Sequence, residues 1–194
     1  MRRTAGLFVG FFLLSGCSSD PNTKPAIADG RPLPSAIQAS QEAELPAAVQ
    51  KDLATLRAAT SKFHRFAEAR PANYTFLFMN MCMVDQSPDK LGGMGFHYVN
   101  TDSLDGHVNV SAPEALLYEP DANGKLQLVA VEYVIPKDAW HDTKPPMLFG
   151  RELKLNEFGL YALHAWVWKD NPSGLFASWN PRVNCDNAGA VSGT

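Results

Sequence analysis

The sequence predicts an α+β domain, with one N-terminal amphipathic helix packed on a curved antiparallel sheet or small β-barrel. Three observations point there. Apolar residues recur at spacings of three and four between Val49 and Ala67. From residue 74 onward the pattern changes to a period of two and keeps it. No helix-sized periodic segment separates the later runs, so parallel crossovers have nothing to build them and the strands should pair antiparallel.

The helix is expected to begin near Pro46, because proline's fixed φ suits a first turn and its missing N–H is not needed there. Val49, Leu53, Leu56, Thr60, Phe63 and Ala67 form its apolar stripe, and Lys51, Asp52, Arg57 and Lys62 occupy other faces. Pro71 disfavours helical geometry in the preceding residue and should end the helix by Arg70. The predicted strands are residues 74–84, 95–99, 115–119, 126–135 and 160–168. Turn-forming segments such as 87–89, 121–124 and 171–174 separate them, and residues 121–124 make the clearest hairpin.

Residues 1–16 read MRRTAGLFVGFFLLSG, two arginines followed by an apolar run too short to span a bilayer, which is the pattern of an export signal. The next motif, Leu14-Ser15-Gly16-Cys17, resembles the lipobox of bacterial lipoproteins. The resemblance implies cleavage before Cys17 and acyl chains, palmitate among them, on the new terminal cysteine. Two or three such chains hold a protein to a bilayer where one is marginal. The lipid bilayer is therefore the expected partner through acylated Cys17, and the cell envelope the expected location. Ser18 and Ser19 after the cysteine resemble outer-membrane sorting, facing the periplasm in a diderm.

Residues 17–44 contain no aromatic residue and four prolines, Pro21, Pro25, Pro32 and Pro34, and read as a flexible lipidated tether with a reach of roughly 30 Å. Residues 45–194 then make a single globular domain. A net charge of −3 without runs of like charge leaves no footprint for nucleic acid.

With Cys17 taken by lipid, Cys82 and Cys185 are an even pair in an oxidising compartment, and a disulfide is expected. It would close a loop of 103 residues. In the chain-entropy model such a loop is worth about 4.7 kcal/mol. The run Phe76-Leu-Phe-Met-Asn-Met-Cys-Met-Val84 raises a separate question. At strand period Leu77, Met79, Met81 and Met83 share one face, while Phe76, Phe78, Asn80 and Cys82 share the other. The thioethers could hold copper(I). No histidine lies within ten residues, and the alternation gives the apolar stripe of a core strand, where methionine is a common gap-filler.

Three polar residues interrupt apolar rows. His97 shares its face with Gly95 and Val99, Glu132 with Leu126, Leu128, Ala130 and Val134, and His164 with Leu160, Ala162, Trp166 and Trp168. Each is costly to bury unless partnered. If the three faces converge, His97, Glu132 and His164 make the two-imidazole, one-carboxylate set of many zinc and non-haem iron sites. No pair has a motif spacing such as HxH or HExxH, so a hydrogen-bonded structural network remains the second reading. There is no GxSxG elbow, and Cys82 is explained as a disulfide partner rather than a nucleophile. His64, His107 and His141 are expected to be exposed.

The segment 166–185 carries Trp166, Trp168, Phe176 and Trp179 with two Asn-Pro turns. These rings could line a groove for a sugar or another flat small-molecule ligand, or they could be the lid of the core. The runs Gly93-Met-Gly-Phe-His-Tyr-Val-Asn100, Pro113-Glu-Ala-Leu-Leu-Tyr-Glu-Pro120, Val131-Glu-Tyr133 and the stretch 163–182 together resemble a family of uncharacterised bacterial exported proteins over about residues 53–185. The resemblance implies a domain boundary and assigns no catalytic residue or cofactor. The expectation is an envelope lipoprotein that binds a small ligand or an envelope partner. The alternatives are a metal-dependent enzyme at His97, Glu132 and His164, and a purely structural envelope protein.

Overall fold

A computed structural model describes residues 27–28, 31–32 and 35–191. The expected signal segment, the lipobox with Cys17 and half of the tether lie outside the described residues. Two dipeptides, Ile27–Ala28 (β1) and Arg31–Pro32 (β2), pair antiparallel.

Helix α1 (Ala36–Ala43) falls inside the segment expected to be tether. Its one large apolar residue, Ile37, is exposed, and the helix is held instead by polar side chains, which composition does not reveal. Buried Gln38 donates its side-chain amide to the Trp166 carbonyl at 2.9 Å, Gln41 donates to the Asn171 carbonyl at 3.0 Å, and Glu42 pairs with Arg57. Helix α2 (Ala47–Thr60) starts after Pro46 and buries Val49, Leu53, Leu56 and Thr60. It ends short of the expected Arg70. The chain continues through single 3-10 turns, Ser61–His64, Phe66–Glu68 and Arg70–Ala72, whose spacing of three keeps Phe63 and Ala69 buried.

Six strands form one antiparallel sheet, curled into a half-barrel with a few helices beside it. In chain order they are β3 (Phe76–Val84), β4 (Gly93–Val99), β5 (Ala115–Pro120), β6 (Leu126–Pro136), β9 (Lys154–Leu155) and β10 (Leu160–Ala165). The spatial order is β3-β4-β5-β6-β10-β9. A small hairpin, β7 (Met147–Leu148) with β8 (Arg151–Glu152), stands apart from it. Neither this hairpin nor β9 carries enough alternation to be visible in sequence.

One face of the sheet packs Phe96, Tyr98, Leu116, Tyr118, Leu128, Val131, Tyr133 and Ile135 into a cluster with Val49, Leu53 and Leu56 of α2. A smaller cluster on the other face joins Val99, Ala115, Leu117, Val129, Ala130, Trp166 and Val183. The register of β5 against β6 shifts between Leu117 and Tyr118. That bulge moves Leu126 and Leu128 to the helix-covered face, away from Glu132, and corrects the single row expected for β6.

Strand β3 also departs from simple alternation. Its pairing with β4 is lost between Leu77 and Cys82, where Met79 and Asn80 adopt left-handed φ values of 54° and 50°. Leu77 and Cys82 therefore both belong to the helix-side cluster, although strict alternation would set them on opposite faces. Met79 and Met81 are 52% and 47% exposed on this edge strand, so they are not the core stripe that the period suggested.

Cys82 and Cys185 are disulfide-bonded, with Cα atoms 5.8 Å apart. The bond ties edge strand β3 to the C-terminal segment, which runs beside the start of β4 through the Gly93–Asn180 bridge. Gly92 is required there: at φ +112°, an added Cβ would lie 2.1 Å from the Asn180 carbonyl oxygen. Two Asn-Pro turns brace each other behind it. Asn171 accepts from the Ser173 N–H and donates to the Trp179 carbonyl, while Asn180 accepts from the Arg182 N–H and donates to the Asp170 carbonyl.

If the disulfide holds the sheet edge, Cys82→Ala and Cys185→Ala should each lower stability by about 2–5 kcal/mol, and the double variant by little more than either. Met79→Ala and Met81→Ala should each stay within about 0.5 kcal/mol of wild type, because neither side chain is buried. Urea unfolding of the purified domain measures both, and a non-additive loss shared by the two cysteine variants is the decisive pattern.

Candidate metal centre

His97, Glu132 and His164 come from β4, β6 and β10, and β5 stands between β4 and β6. In a flat sheet, β4 and β10 would be three inter-strand spacings apart, roughly 14 Å. The His97 and His164 rings nevertheless lie 5.9 Å apart, edge to face. Curl closes that gap, because side chains on the concave face of a curved sheet point toward one another. Register adds the remaining placement: His164 is paired directly with Glu132, and His97 with Leu117. Ala115, opposite Glu132, and Ala130, opposite Leu117, put small side chains beneath the three polar groups and leave them room.

Each residue offers one ligand atom to a set whose members all lie within 4.8 Å of one another. His97 Nε2 is 3.7 Å from one Glu132 oxygen, and His164 Nε2 is 3.6 Å from the other. These separations are too long for hydrogen bonds. A tetrahedral ion with bonds of about 2.1 Å sets its ligands about 3.4 Å apart, so the set would have to draw together to seat one. His164 Nε2 is buried without a hydrogen-bond partner, and so is His97 Nδ1.

The distances suggest an ion pair, but the protonation states do not. Burial lowers the His97 imidazole to about 4, against a smaller opposing effect from the Gly95 backbone. Burial lowers His164 to about 3, helped by His97. Burial raises Glu132 to about 8, helped by the carboxylate of Glu114. At neutral pH the metal-free site is therefore two neutral imidazoles beside a protonated acid. Neutral imidazoles are the form that ligates a metal, and only the carboxyl has a proton to lose.

Glu114 was not singled out from the sequence. It is 2% exposed, accepts the Val134 N–H at 2.9 Å and has its own acidity weakened to about 7, chiefly by burial. Its signal was positional: it directly precedes Ala115, the register partner of Glu132.

The aromatic residues of the closing segment do not share one surface. Trp166 is fully buried in the concave cluster, stacks on His164 at 5.9 Å and donates its indole N–H to the Ala177 carbonyl. Trp168 and Phe176 pack on the helix-side cluster, where Trp168 donates to Thr60 and Phe176 stacks on Phe149. Trp179 is half-buried. His64, expected to be exposed, is half-buried against Trp168, whereas His107 and His141 are exposed. Two surface hollows, one of roughly 840 Å³ beside Arg151 and Phe176 and one beside His107, Trp140 and His141, do not include the three-residue cluster.

Compared with known protein families, curated proteins and solved structures, the chain finds no match. The site has to be read from its own chemistry.

That chemistry fixes the sign of a pH effect in the metal-free protein. The raised Glu132 and Glu114 stabilise fully below about pH 4.5, and that contribution is lost as pH rises through about 8 and about 7. The depressed histidines stabilise fully above about pH 6.5 and lose that contribution as pH falls toward about 4 and 3. The two effects oppose each other between pH 4.5 and 6.5, and above 6.5 only the carboxyls act. In chelator, the urea midpoint should therefore fall from pH 6.5 to 8, and Glu132→Gln should remove most of that decline. A wild-type midpoint that is flat or rising over this range would contradict neutral burial.

Proposed function

We propose that the protein is an envelope lipoprotein whose curled sheet binds a divalent first-row transition ion through His97, Glu132 and His164. One observation carries the metal assignment: three donors from three strands converge on the concave face, and the buried His164 Nε2 has no other partner. A hydrogen-bonded structural network would place these atoms within about 3.2 Å of one another. Two imidazole nitrogens and a carboxylate suit zinc or iron(II), whereas copper(I) prefers sulfur ligands. Burial of the imidazoles in neutral form removes proton competition at two of the three positions.

The envelope half of the reading is supported by the export signal and by Cys17 in its lipobox setting. The disulfide between the other two cysteines suits an oxidising compartment. In the proposed arrangement the acylated Cys17 holds the domain at the membrane, with the outer membrane and its periplasmic face as the site in a diderm. The curled sheet, closed further toward a small barrel by its bound ion, is then a tethered metal domain.

Protein purified without chelator or affinity tag should contain about one equivalent of zinc or iron by elemental analysis. His164→Ala and His97→Ala should lose it while keeping the fold, since each removes one ligand and leaves the other imidazole and the carboxyl buried in neutral form. Metal-free wild type that also refuses added zinc would overturn the assignment. For the anchor, wild type should partition into detergent and Cys17→Ser should not; equal partition would remove the lipoprotein reading and leave the metal reading standing.

A further inference from the structure

An aromatic contact joins the two edges of the sheet. Phe78 lies on edge strand β3 and Phe158 in the turn between β9 and β10 at the opposite edge, yet their rings meet edge to face at 5.3 Å. The place of Phe78 follows from register. Leu77 pairs with Tyr98 and Cys82 with Phe96, so the unpaired residues 78–81, Phe78 among them, stand opposite His97. Phe78 packs against the concave cluster that surrounds the histidines and is half-buried, whereas Phe158 is 45% exposed. The pair therefore crosses the open side of the half-barrel, next to one of the three donors.

The donors themselves leave a direction free. Three residues converge, and no fourth His, Cys, Asp or Glu joins them among the described residues. Three donors leave at least one position of a tetrahedral ion unfilled by the described side chains. The Glu132 side chain is the most accessible of the three, at 12% against 4% for His97 and 6% for His164. Structural zinc sites are closed by four protein ligands, while sites that exchange ligands keep a position open. The cluster on this face is apolar, with Phe78, Val99, Leu117 and Trp166 among its members.

Resting on the metal reading above, we infer that the centre is of the open, ligand-exchanging kind, and that the Phe78–Phe158 bridge admits only small monodentate donors to it. Water and three-atom anions pass, and a ring-sized ligand does not. The ion and its three residues set the chemistry of binding, and the bridge sets the size limit. Because Phe158 is largely exposed and touches no donor, its loss should change access without changing the ligand set.

The test uses the full-length protein in detergent, stripped with chelator and reloaded with cobalt(II), whose visible bands report its coordination. Azide should shift the bands saturably in wild type, and imidazole should not. In Phe158→Ala, azide should bind as before and imidazole should gain at least about tenfold in affinity. Phe158→Leu, which keeps bulk at the bridge, should behave like wild type, and thermal unfolding checks that both variants stay folded. If cobalt binds but azide leaves the bands unchanged, the site is closed and the inference fails while the metal reading survives. If imidazole enters wild type as readily as Phe158→Ala, the bridge sets no limit and the inference fails on that count. If cobalt does not bind at all, both readings fall.

Discussion

Curvature of the sheet is the constraint on which the site depends. Strands spaced about 4.8 Å apart cannot bring side chains from β4 and β10 into contact across β5 and β6 unless the sheet bends. Here it bends enough for His97 and His164 to meet over the Ala115 and Ala130 floor. The bulges in β3 and between β5 and β6 are the local features that accompany the bend, since an extra residue on one strand raises twist and turns the strand. Gly95 lets β4 follow it: at φ +89°, a Cβ there would meet the Tyr118 carbonyl oxygen at 2.4 Å.

The bend is held from both sides. On the helix-covered face, α2 and the 3-10 turns supply Leu53, Leu56 and Phe63 to an apolar cluster threaded by Tyr74, Tyr98 and Tyr118. Buried tyrosines need partners for their hydroxyls, and Tyr74 and Tyr118 donate to the carbonyls of Pro113 and Phe63. At the edge, the disulfide and the paired Asn-Pro turns fix the C-terminal segment against β4. The concave face keeps two buried polar atoms that lack such partners. A buried donor or acceptor without a partner costs about 1–3 kcal/mol, and His97 and His164 each leave one. The cost at His164 Nε2, the nitrogen that faces Glu132, is one that a bound ion would offset.

Much of this was legible in the residues, and the limits are physical. Period-two runs located five of the six strands, and the same alternation set His97, Glu132 and His164 inside otherwise apolar rows. Alternation gives the face of a side chain but neither strand order nor curvature, so convergence could be posed only as a condition. It also assumes unbroken pairing. The left-handed residues Met79 and Asn80 violate that assumption, which is why Met79 and Met81 came out exposed and Cys82 changed faces. Helix α1 was hidden for a different reason: its anchors are Gln38, Gln41 and Glu42, polar residues that look like tether until their partners 15 to 130 positions away are known. Phe78 and Phe158 gave no signal at all, since their contact exists only because the two sheet edges approach each other.

If curvature assembles a metal centre from three strands, both imidazoles must be bound to one ion. X-ray absorption at the metal edge of the zinc-loaded protein reads that centre directly. The expected spectrum is a first shell of nitrogen and oxygen at about 2.0–2.2 Å with the outer-shell scattering of two imidazoles, and His164→Ala, which loses the ion, should show no such centre. A wild-type shell dominated by sulfur near 2.3 Å, or one without imidazole scattering, would place the metal elsewhere and contradict it.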